Sequence, residues 1–182
     1  MSDTRNQLKQ LATDQIRREN LAAASFRELG KAAGIKASSV FYHFQSREQL
    51  LAELVRDYEA DFFAQLAERC HGSDSPKQRL LALLDLFKQS QQQGKQCLCA
   101  AYGASSHELS DDSRAAVQQF FSRLEGWILE VLNKASLLPL PRETLAKVLL
   151  SSLEGALLID RTDVENQHLD AIRQWINKLV SV

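Results

Sequence analysis

The sequence predicts an all-α protein of about nine helices, and three observations support this. Apolar residues recur at three- and four-residue steps along most of the 182 residues, which is the period of an amphipathic helix. No segment shows the convincing alternation of a half-buried strand. Glycine, proline and capping residues interrupt the apolar pattern at intervals that suit single helices.

The composition is that of an ordinary globular protein, with 45% hydrophobic and 25% charged residues. No apolar run reaches the ~18 residues of a membrane span, and the first ten residues lack the apolar core of a signal peptide. The sequence therefore predicts a cytoplasmic protein without a membrane segment. Three cysteines in such a chain do not make a disulfide framework.

The net charge of −1 conceals a basic segment near the N-terminus. Residues 17–47 carry six Lys or Arg against two Glu, a local charge of +4. A confined basic face on a slightly acidic protein is typical of a local contact with phosphates. Without a supporting motif, the same charges would indicate only a solvated helix surface.

The first predicted helix spans residues 7–19, with Leu8, Leu11, Ala12 and Ile16 on one side. We expect this helix to brace its neighbours without reading bases. Residues 1–4 carry no basic side chain, so no minor-groove contact is expected from the N-terminus.

Residues 25–49 contain a dense succession of helix signals. Ser25 is a suitable cap for a second helix. Gly34 ends that helix, since glycine adopts the left-handed conformation at a C-terminus without a Cβ clash. Ser46 and Gln49 form a capping-box pattern, which predicts the start of another, longer helix.

Between these signals lies a further short helix. It opens at Lys36 with small and polar residues, and Val40, Phe41 and Phe44 supply its buried side. Two short helices joined by a glycine-containing turn predict a helix-turn-helix, in which the second helix enters the DNA major groove.

The run AAGIKASSVFYHFQSREQLL resembles the DNA-binding signature of the TetR/AcrR family of bacterial transcriptional regulators. The resemblance is specific over roughly residues 5–58 and architectural over the remainder. It implies an N-terminal three-helix helix-turn-helix DNA-binding domain at residues 1–47 and a C-terminal helical ligand-binding and dimerisation domain at residues 48–182. The implied function is sequence-specific regulation of transcription by a repressor that a small-molecule effector releases. Its implied partner is a pseudo-palindromic operator in double-stranded DNA, bound by a homodimer.

Nine residues are expected to contact DNA. Arg27 is the best candidate for a base edge, because a guanidinium matches guanine O6 and N7, although it could be a plain surface charge. In the family, the positions of Tyr42, His43 and Arg47 commonly hold phosphates; His43 could instead be a satisfied core histidine. Phe41 stands where many relatives have tyrosine, so we expect it to pack rather than bind. The full set is Ser25, Arg27, Lys36, Ala37, Ser38, Ser39, Tyr42, His43 and Arg47.

The rest of the chain also reads as helices. A long helix over residues 46–70 begins beside the helix-turn-helix and ends in the second half, which makes it a natural mechanical link. Helices over 76–93 and 111–135 and a short, irregular one over 97–109 follow, and two further helices end the chain.

Aromatic residues of the helices after residue 50 could line a pocket for the effector that the resemblance implies. Aromatic residues at these spacings are more often plain core. The candidates are Phe62, Phe87, Tyr102, His107, Phe121 and Trp127.

The last two helices carry apolar stripes with small residues among them, which would let a facing helix approach closely. Surplus apolar surface suggests self-association, and a dimer is the common closed symmetry. Alternatively, both stripes pack on their own monomer. The predicted interface comprises Leu149, Ser152, Gly155, Ala156, Ile159, Leu169, Ile172, Ile176 and Leu179.

Cys97 and Cys99 could bind a soft metal or sense oxidants or electrophiles. Buried cysteine also packs as a small hydrophobe. Only His107 stands close in sequence and a structural zinc site normally needs four ligands, so no metal site is predicted. Similar segments occur in TetR-like proteins, which include reactive-cysteine sensors, so a thiol-sensing repressor is an alternative.

Nothing in the sequence indicates catalysis. There is no phosphate-cradling glycine loop and no His–Glu metal pair at helical spacing among the four histidines. No catalytic residue and no cofactor are predicted. A remaining alternative is a helical adaptor that binds a protein through its C-terminal stripes without specific DNA binding.

Overall fold

The chain folds into two compact helical units in the computed structural model, which describes residues 2–73, 75–136, 138–162, 165 and 167–180. The first unit comprises Met1–Ala60 and Leu98–Gln119, and the second comprises Asp61–Cys97 and Phe120–Val182. The described residues form nine α-helices, two short 3-10 turns and no strand. The predicted all-α fold of about nine helices is confirmed.

The helices follow one another in the order expected, with some bounds shifted by a few residues. They are α1 (Ser2–Arg18), α2 (Phe26–Ala33), α3 (Ala37–Phe44), α4 (Arg47–Arg69), α5 (Pro76–Gln92), α6 (Leu98–Ala104), α7 (Asp111–Asn133), α8 (Arg142–Asp160) and α9 (His168–Leu179). The 3-10 turns span Leu21–Ala24 and Ser106–Glu108.

The first unit is assembled from two separate parts of the chain, because the segment Leu98–Gln119 returns to the N-terminal helices. Its core is a continuous set of buried apolar side chains from α1 to α4 and α6. The division into functional domains at residues 47 and 48 stays a prediction. The larger core side chains are Leu8, Ile16, Leu21, Leu29, Phe44, Leu50, Leu54, Leu98 and Tyr102.

Local signals set the bounds of α2 as predicted. The Ser25 hydroxyl oxygen accepts the N–H of Glu28 at 3.2 Å, which caps the helix. Gly34 ends it with a φ of +68°. The short helix α3 then buries Val40 and Phe44 completely.

Phe41 corrects one expectation. Its side chain is 56% exposed, although the apolar pattern predicted burial. Successive helical residues point about 100° apart, so a two-turn helix that buries Val40 and Phe44 turns Phe41 toward its flank.

In the second unit, α5 packs against both α8 and α9, and these two pack against each other. Two ion pairs tie α5 to α9, Asp85 with Arg173 and Lys88 with Asp170. None of the helices in the described ranges combines the length and apolar character that a membrane crossing requires.

Candidate nucleic-acid interface

Gly30 lets the turn between α2 and α3 pass directly over α2. A Cβ built on Gly30 would meet the Ile35 carbonyl oxygen at 2.8 Å and the Ala37 backbone nitrogen at 3.1 Å. The N–H of Ile35 also donates to the Gly30 carbonyl at 2.9 Å. Any side chain here would push the turn and α3 away from α2. Sequence reasoning assigned the turn to Gly34 and missed Gly30, although a glycine inside a helical pattern is a signal of close packing.

The outer surface of α2 and α3 presents most of the residues predicted to contact DNA. The Arg27 side chain is 87% exposed, and its ion-pair partner among the described residues is its neighbour Glu28, at 3.2 Å. Tyr42 is 70% exposed. The first turn of α3 and its cap are also exposed. These exposed residues are Lys36, Ala37, Ser38 and Ser39.

Ser25 and His43 lie at the edge of this surface and are partly buried. The Ser25 oxygen caps α2, which leaves its hydroxyl hydrogen for another acceptor. The His43 ring lies edge-on to Tyr42, with centroids 5.7 Å apart. Both side chains are therefore less accessible than those of Arg27 and Tyr42.

Arg5 fixes the C-terminal end of α3 from behind. Its guanidinium lies 2.6 Å from both carboxylate oxygens of Glu53 on α4, and its Nε donates to the His43 carbonyl at 3.3 Å. The same guanidinium sits over the Phe44 ring, 4.9 Å from the centroid. These contacts hold α3 to α1 and α4, so the exposed face of α3 is carried on a rigid support.

Arg47 is turned into the protein. Its guanidinium donates to the Leu21 carbonyl at 2.9 Å and lies 3.7 Å from the Glu108 carboxylate. The geometry thus joins the first turn of α4, the 3-10 turn Leu21–Ala24 and the segment after α6. This is a bracing arrangement, and the sequence alone did not indicate it.

Tyr102 makes a second connection between α6 and α4. The side chain is fully buried, and its hydroxyl donates to the Leu51 carbonyl at 3.0 Å. Burial raises the pKa of this phenol above its ordinary value, so the hydroxyl stays protonated as the donor.

Two protein-family models match this sequence, one over the helix-turn-helix segment and one over the C-terminal part of the chain. Residues 10–54 match the family model for bacterial regulatory proteins of the tetR family. Residues 76–175, more than half of the chain, match the model for the C-terminal domain of LmrA/YxaF-like transcriptional regulators. The chain belongs to the TetR family of bacterial regulatory proteins. The family resemblance seen in the sequence is confirmed, and with it the assignment as a DNA-binding transcriptional regulator.

Individual TetR-family proteins match at moderate identity. Over 79 residues the chain is 32% identical to the HTH-type transcriptional repressor KstR2 of Mycolicibacterium smegmatis, a match that covers 43% of this chain and 38% of that protein. The chain therefore aligns with less than half the length of this relative.

Solved structures resemble the whole chain. A TetR transcriptional regulator from Legionella pneumophila superposes with a TM-score of 0.90 at 24% identity, covering 100% of this chain and 99% of that one. A TetR-family regulator from Agrobacterium tumefaciens gives a TM-score of 0.92 at 21% identity, covering 99% of each chain. These likenesses establish the TetR-family fold from end to end.

The residues predicted to line an effector pocket are distributed over both units. Tyr102 and His107 belong to the first unit, where His107 is exposed and the Tyr102 hydroxyl bonds to α4. The other four belong to the second unit. There Phe62 packs edge-on against Phe87 and Phe120, with centroids 6.4 and 5.3 Å apart. These two contacts are those of a packed aromatic core.

Cys97 and Cys99 are both buried, with Cys99 fully so. A buried thiol in apolar surroundings is shielded from oxidants and electrophiles. Within the described residues, no group of three or more His, Cys, Asp or Glu side chains is arranged to hold a metal ion.

Six of the nine residues predicted to form a dimer interface are buried within the protomer. They are Leu149, Ala156, Leu169, Ile172, Ile176 and Leu179. The other three, Ser152, Gly155 and Ile159, remain at least partly exposed on α8. Val148 and Leu158 extend this exposed surface of α8.

Proposed function

We propose that this TetR-family chain is a repressor that binds a pseudo-palindromic operator as a homodimer and leaves it when a small-molecule effector binds. The exposed surface of α2 and α3, with Arg27, Lys36 and Tyr42 outward, is the observation that supports this most directly. A major groove about 12 Å wide admits one such helix. The repressor activity of KstR2 supports the direction of regulation. The proposal implies a cytoplasmic location, where a bacterial operator lies.

In this proposal Arg27, Ser38 and Ser39 reach base edges, and the flanking residues hold phosphates. No side chain among the described residues caps the N-terminus of α3, which leaves the N–H groups of Ala37 and Ser38 for a phosphate oxygen, whereas the Ser39 N–H already donates to the Lys36 carbonyl at 2.9 Å. Lys36 and Tyr42 add an ammonium and a phenol beside that turn. Ser25 and His43 are retained as rim contacts. Arg47 is assigned a bracing role instead, because its guanidinium is already bonded within the protein.

Dimerisation is proposed through the exposed surface of α8. Val148, Ser152, Gly155 and Ile159 follow one another at three- and four-residue steps, so they share one side of the helix. Small side chains at 152 and 155 would let a second helix approach closely. The buried members of the predicted interface would act indirectly, by holding α9 against α8.

Release by an effector is proposed to act through α4, which contributes residues to both units. The heads of a dimer must meet successive major grooves, ~34–36 Å apart, so a small change in α4 should weaken operator binding strongly. An effector that binds better to the changed state shifts the population away from DNA. The ion pair of Arg47 with Glu108 and the hydrogen bond from Tyr102 to the Leu51 carbonyl would transmit that change from α4 to α6 and the turn after it.

Selection of genomic fragments by the purified protein, followed by footprinting at two salt concentrations, tests the function. We expect a protected pseudo-palindrome, a dimer by mass in solution, and affinity that falls steeply with salt as phosphate contacts release counterions. The absence of a protected sequence at both salt concentrations would contradict the proposal.

An Arg27→Ala variant tests the assignment of the reading surface. We expect operator affinity to fall about tenfold or more, since a guanidinium on guanine contributes ~1–3 kcal/mol of discrimination. Arg56→Ala is the matched control, because it removes an exposed arginine of α4 in the same unit. Fluorescence anisotropy with the selected operator measures both, and equal affinities for the two variants would exclude Arg27 from the interface.

A further inference from the structure

Phe41 is a large apolar side chain that lies exposed on α3. Among the described residues of the first unit, the large hydrophobic side chains that the structure leaves exposed are Phe41 and Tyr42, both on α3. Tyr42 ends in a hydroxyl that can donate to a phosphate. Phe41 has no polar side-chain atom, so any contact it makes with DNA must be apolar.

The Phe41 ring is held in place by α2. It lies edge-on to Phe26, the first residue of α2, with centroids 6.3 Å apart and planes at 74°. This is a favourable geometry for two aromatic rings, and it limits the directions that the Phe41 ring can take. Ala37 is exposed one helical turn before Phe41, so both lie on one side of α3. We call Ala37 and Phe41 the apolar strip.

The major groove offers this strip one matching chemical group on the base edges. Guanine, adenine and cytosine present hydrogen-bond donors and acceptors there, whereas thymine adds a C5-methyl group. The exposed cations Arg27 and Lys36 on the same two helices provide the charge complementarity that brings this surface to DNA.

We propose that Ala37 and Phe41 read the C5-methyl group of thymine. Each operator half-site then contains at least one thymine that deoxyuridine, which lacks the methyl group, cannot replace without loss. Phe41 is thereby a specificity-determining residue. This inference rests on the proposed operator binding and names the base that this part of the surface selects.

Deoxyuridine scanning of the selected operator tests the inference. Each thymine of one half-site is replaced in turn, and affinity is measured by fluorescence anisotropy at low salt, where weak variants remain measurable. For the wild type we expect at least one position at which the replacement lowers affinity about fourfold, as expected for one buried methyl group. Replacement of thymines outside the protected half-sites is the matched control and should leave affinity unchanged.

Protein variants then assign that sensitivity to Phe41. Phe41→Ala should bind more weakly, and its thymine-to-deoxyuridine affinity ratio at the sensitive position should fall well below that of the wild type, toward the small share that Ala37 contributes. Phe41→Leu keeps an apolar side chain and should retain an intermediate ratio, so the comparison survives if the alanine variant binds too weakly. Circular dichroism confirms that both variants fold.

The possible outcomes distinguish a failure of this inference from a failure of the proposed function. If the wild type protects an operator but no thymine is sensitive, or if the ratio is unchanged in both Phe41 variants, the inference is overturned. If the wild type protects no sequence, the proposed function itself fails.

Discussion

Two helical hairpins of this protein, α2–α3 and α8–α9, are held together by different kinds of contact. At the α2–α3 turn, the Ile35 carbonyl occupies the space where Gly30 would carry a Cβ. Between α8 and α9, the buried carboxylate of Asp160 accepts the backbone N–H groups of His168 and Leu169 at 3.0 and 3.1 Å. The same carboxylate accepts the side-chain amide of Gln91 at 2.6 Å, and His168 Nδ1 lies 2.8 Å from it.

This difference shows which interaction sets the geometry of each hairpin. The α2–α3 hairpin depends on close contact between backbone atoms, which neither pH nor salt changes. The C-terminal hairpin depends on the negative charge of the Asp160 carboxylate, which is present only when this group is ionised. Burial alone would raise the pKa of Asp160, but hydrogen bonds from His168 and Leu169 outweigh it and hold the pKa below its ordinary value. The two hairpins should therefore respond differently to substitution and to acid.

Gly30→Ala should have the largest effect. The added methyl group meets backbone atoms, which cannot rotate away, so the turn or α3 has to move. We expect a loss of about 2–3 kcal/mol in the free energy of unfolding, which is the upper range for an overpacked site. Operator binding should weaken as well, because α3 carries part of the proposed reading surface. Chemical denaturation and anisotropy measure the two effects.

Gly126→Ala is the control for this prediction. Gly126 lies inside α7, and among the described residues no non-neighbouring atom comes within 4 Å of a Cβ built there. The same substitution should then stabilise the protein by up to ~1 kcal/mol, through helix propensity alone. Equal stability changes in the two variants would mean that close approach at Gly30 is not what holds the hairpin.

Asp160→Ala should have the next largest effect. Its loss leaves the N–H groups of His168 and Leu169 and the Gln91 amide without their acceptor, at a cost of about 2 kcal/mol near neutral pH. Because the folded-state pKa is lowered, this stabilisation is complete above the ordinary pKa of about 3.9 and is lost as the pH falls through the lower folded value.

The pH dependence sharpens the comparison of the hairpins. The stability difference between wild type and Asp160→Ala should shrink when denaturation is repeated below pH ~4. The difference between wild type and Gly30→Ala should stay constant over the same range, since no titrating group is involved. A pH-independent Asp160→Ala difference would contradict the role assigned to the ionised carboxylate.

Local signals made much of the fold predictable. Ser25 and Gly34 set the bounds of α2 through contacts within four residues, so their roles could be read from the sequence. The hydrogen bonds of Asp160 reach Gln91, 69 residues away. A contact of that kind leaves no local pattern, so no role for Asp160 could be predicted.

The candidate interface shows the same limit. The helical period predicted that Val40 and Phe44 are buried, and the exposed face of α3 followed from that. The inward direction of Arg47 did not follow, because its partner Glu108 joins the first unit only through the tertiary fold. The predicted burial of Phe41 was wrong, because the prediction rested on the hydrophobicity of the side chain and not on its angular position on the short helix α3.

Gln45→Gly should have the smallest effect and extends the comparison to the other end of α3. Among the described residues, Gln45 is the one non-glycine residue with a positive φ, at φ 59° and ψ −38°. The Ser46 N–H donates to the Phe44 carbonyl at 2.6 Å, so the chain makes a tight three-residue turn there. Glycine adopts this backbone conformation without a Cβ clash, and we expect a gain of about 1 kcal/mol after the added entropy of the unfolded chain.

Gln45→Ala is the matched variant, because it removes the same side-chain atoms beyond Cβ and keeps the strain. Thermal and chemical denaturation should rank the glycine variant above both the wild type and the alanine variant. That ranking would mean that backbone geometry decides both ends of the reading helix. A glycine variant less stable than the alanine variant would show that the turn after α3 carries no strain, and would confine backbone control to the Gly30 side of the helix.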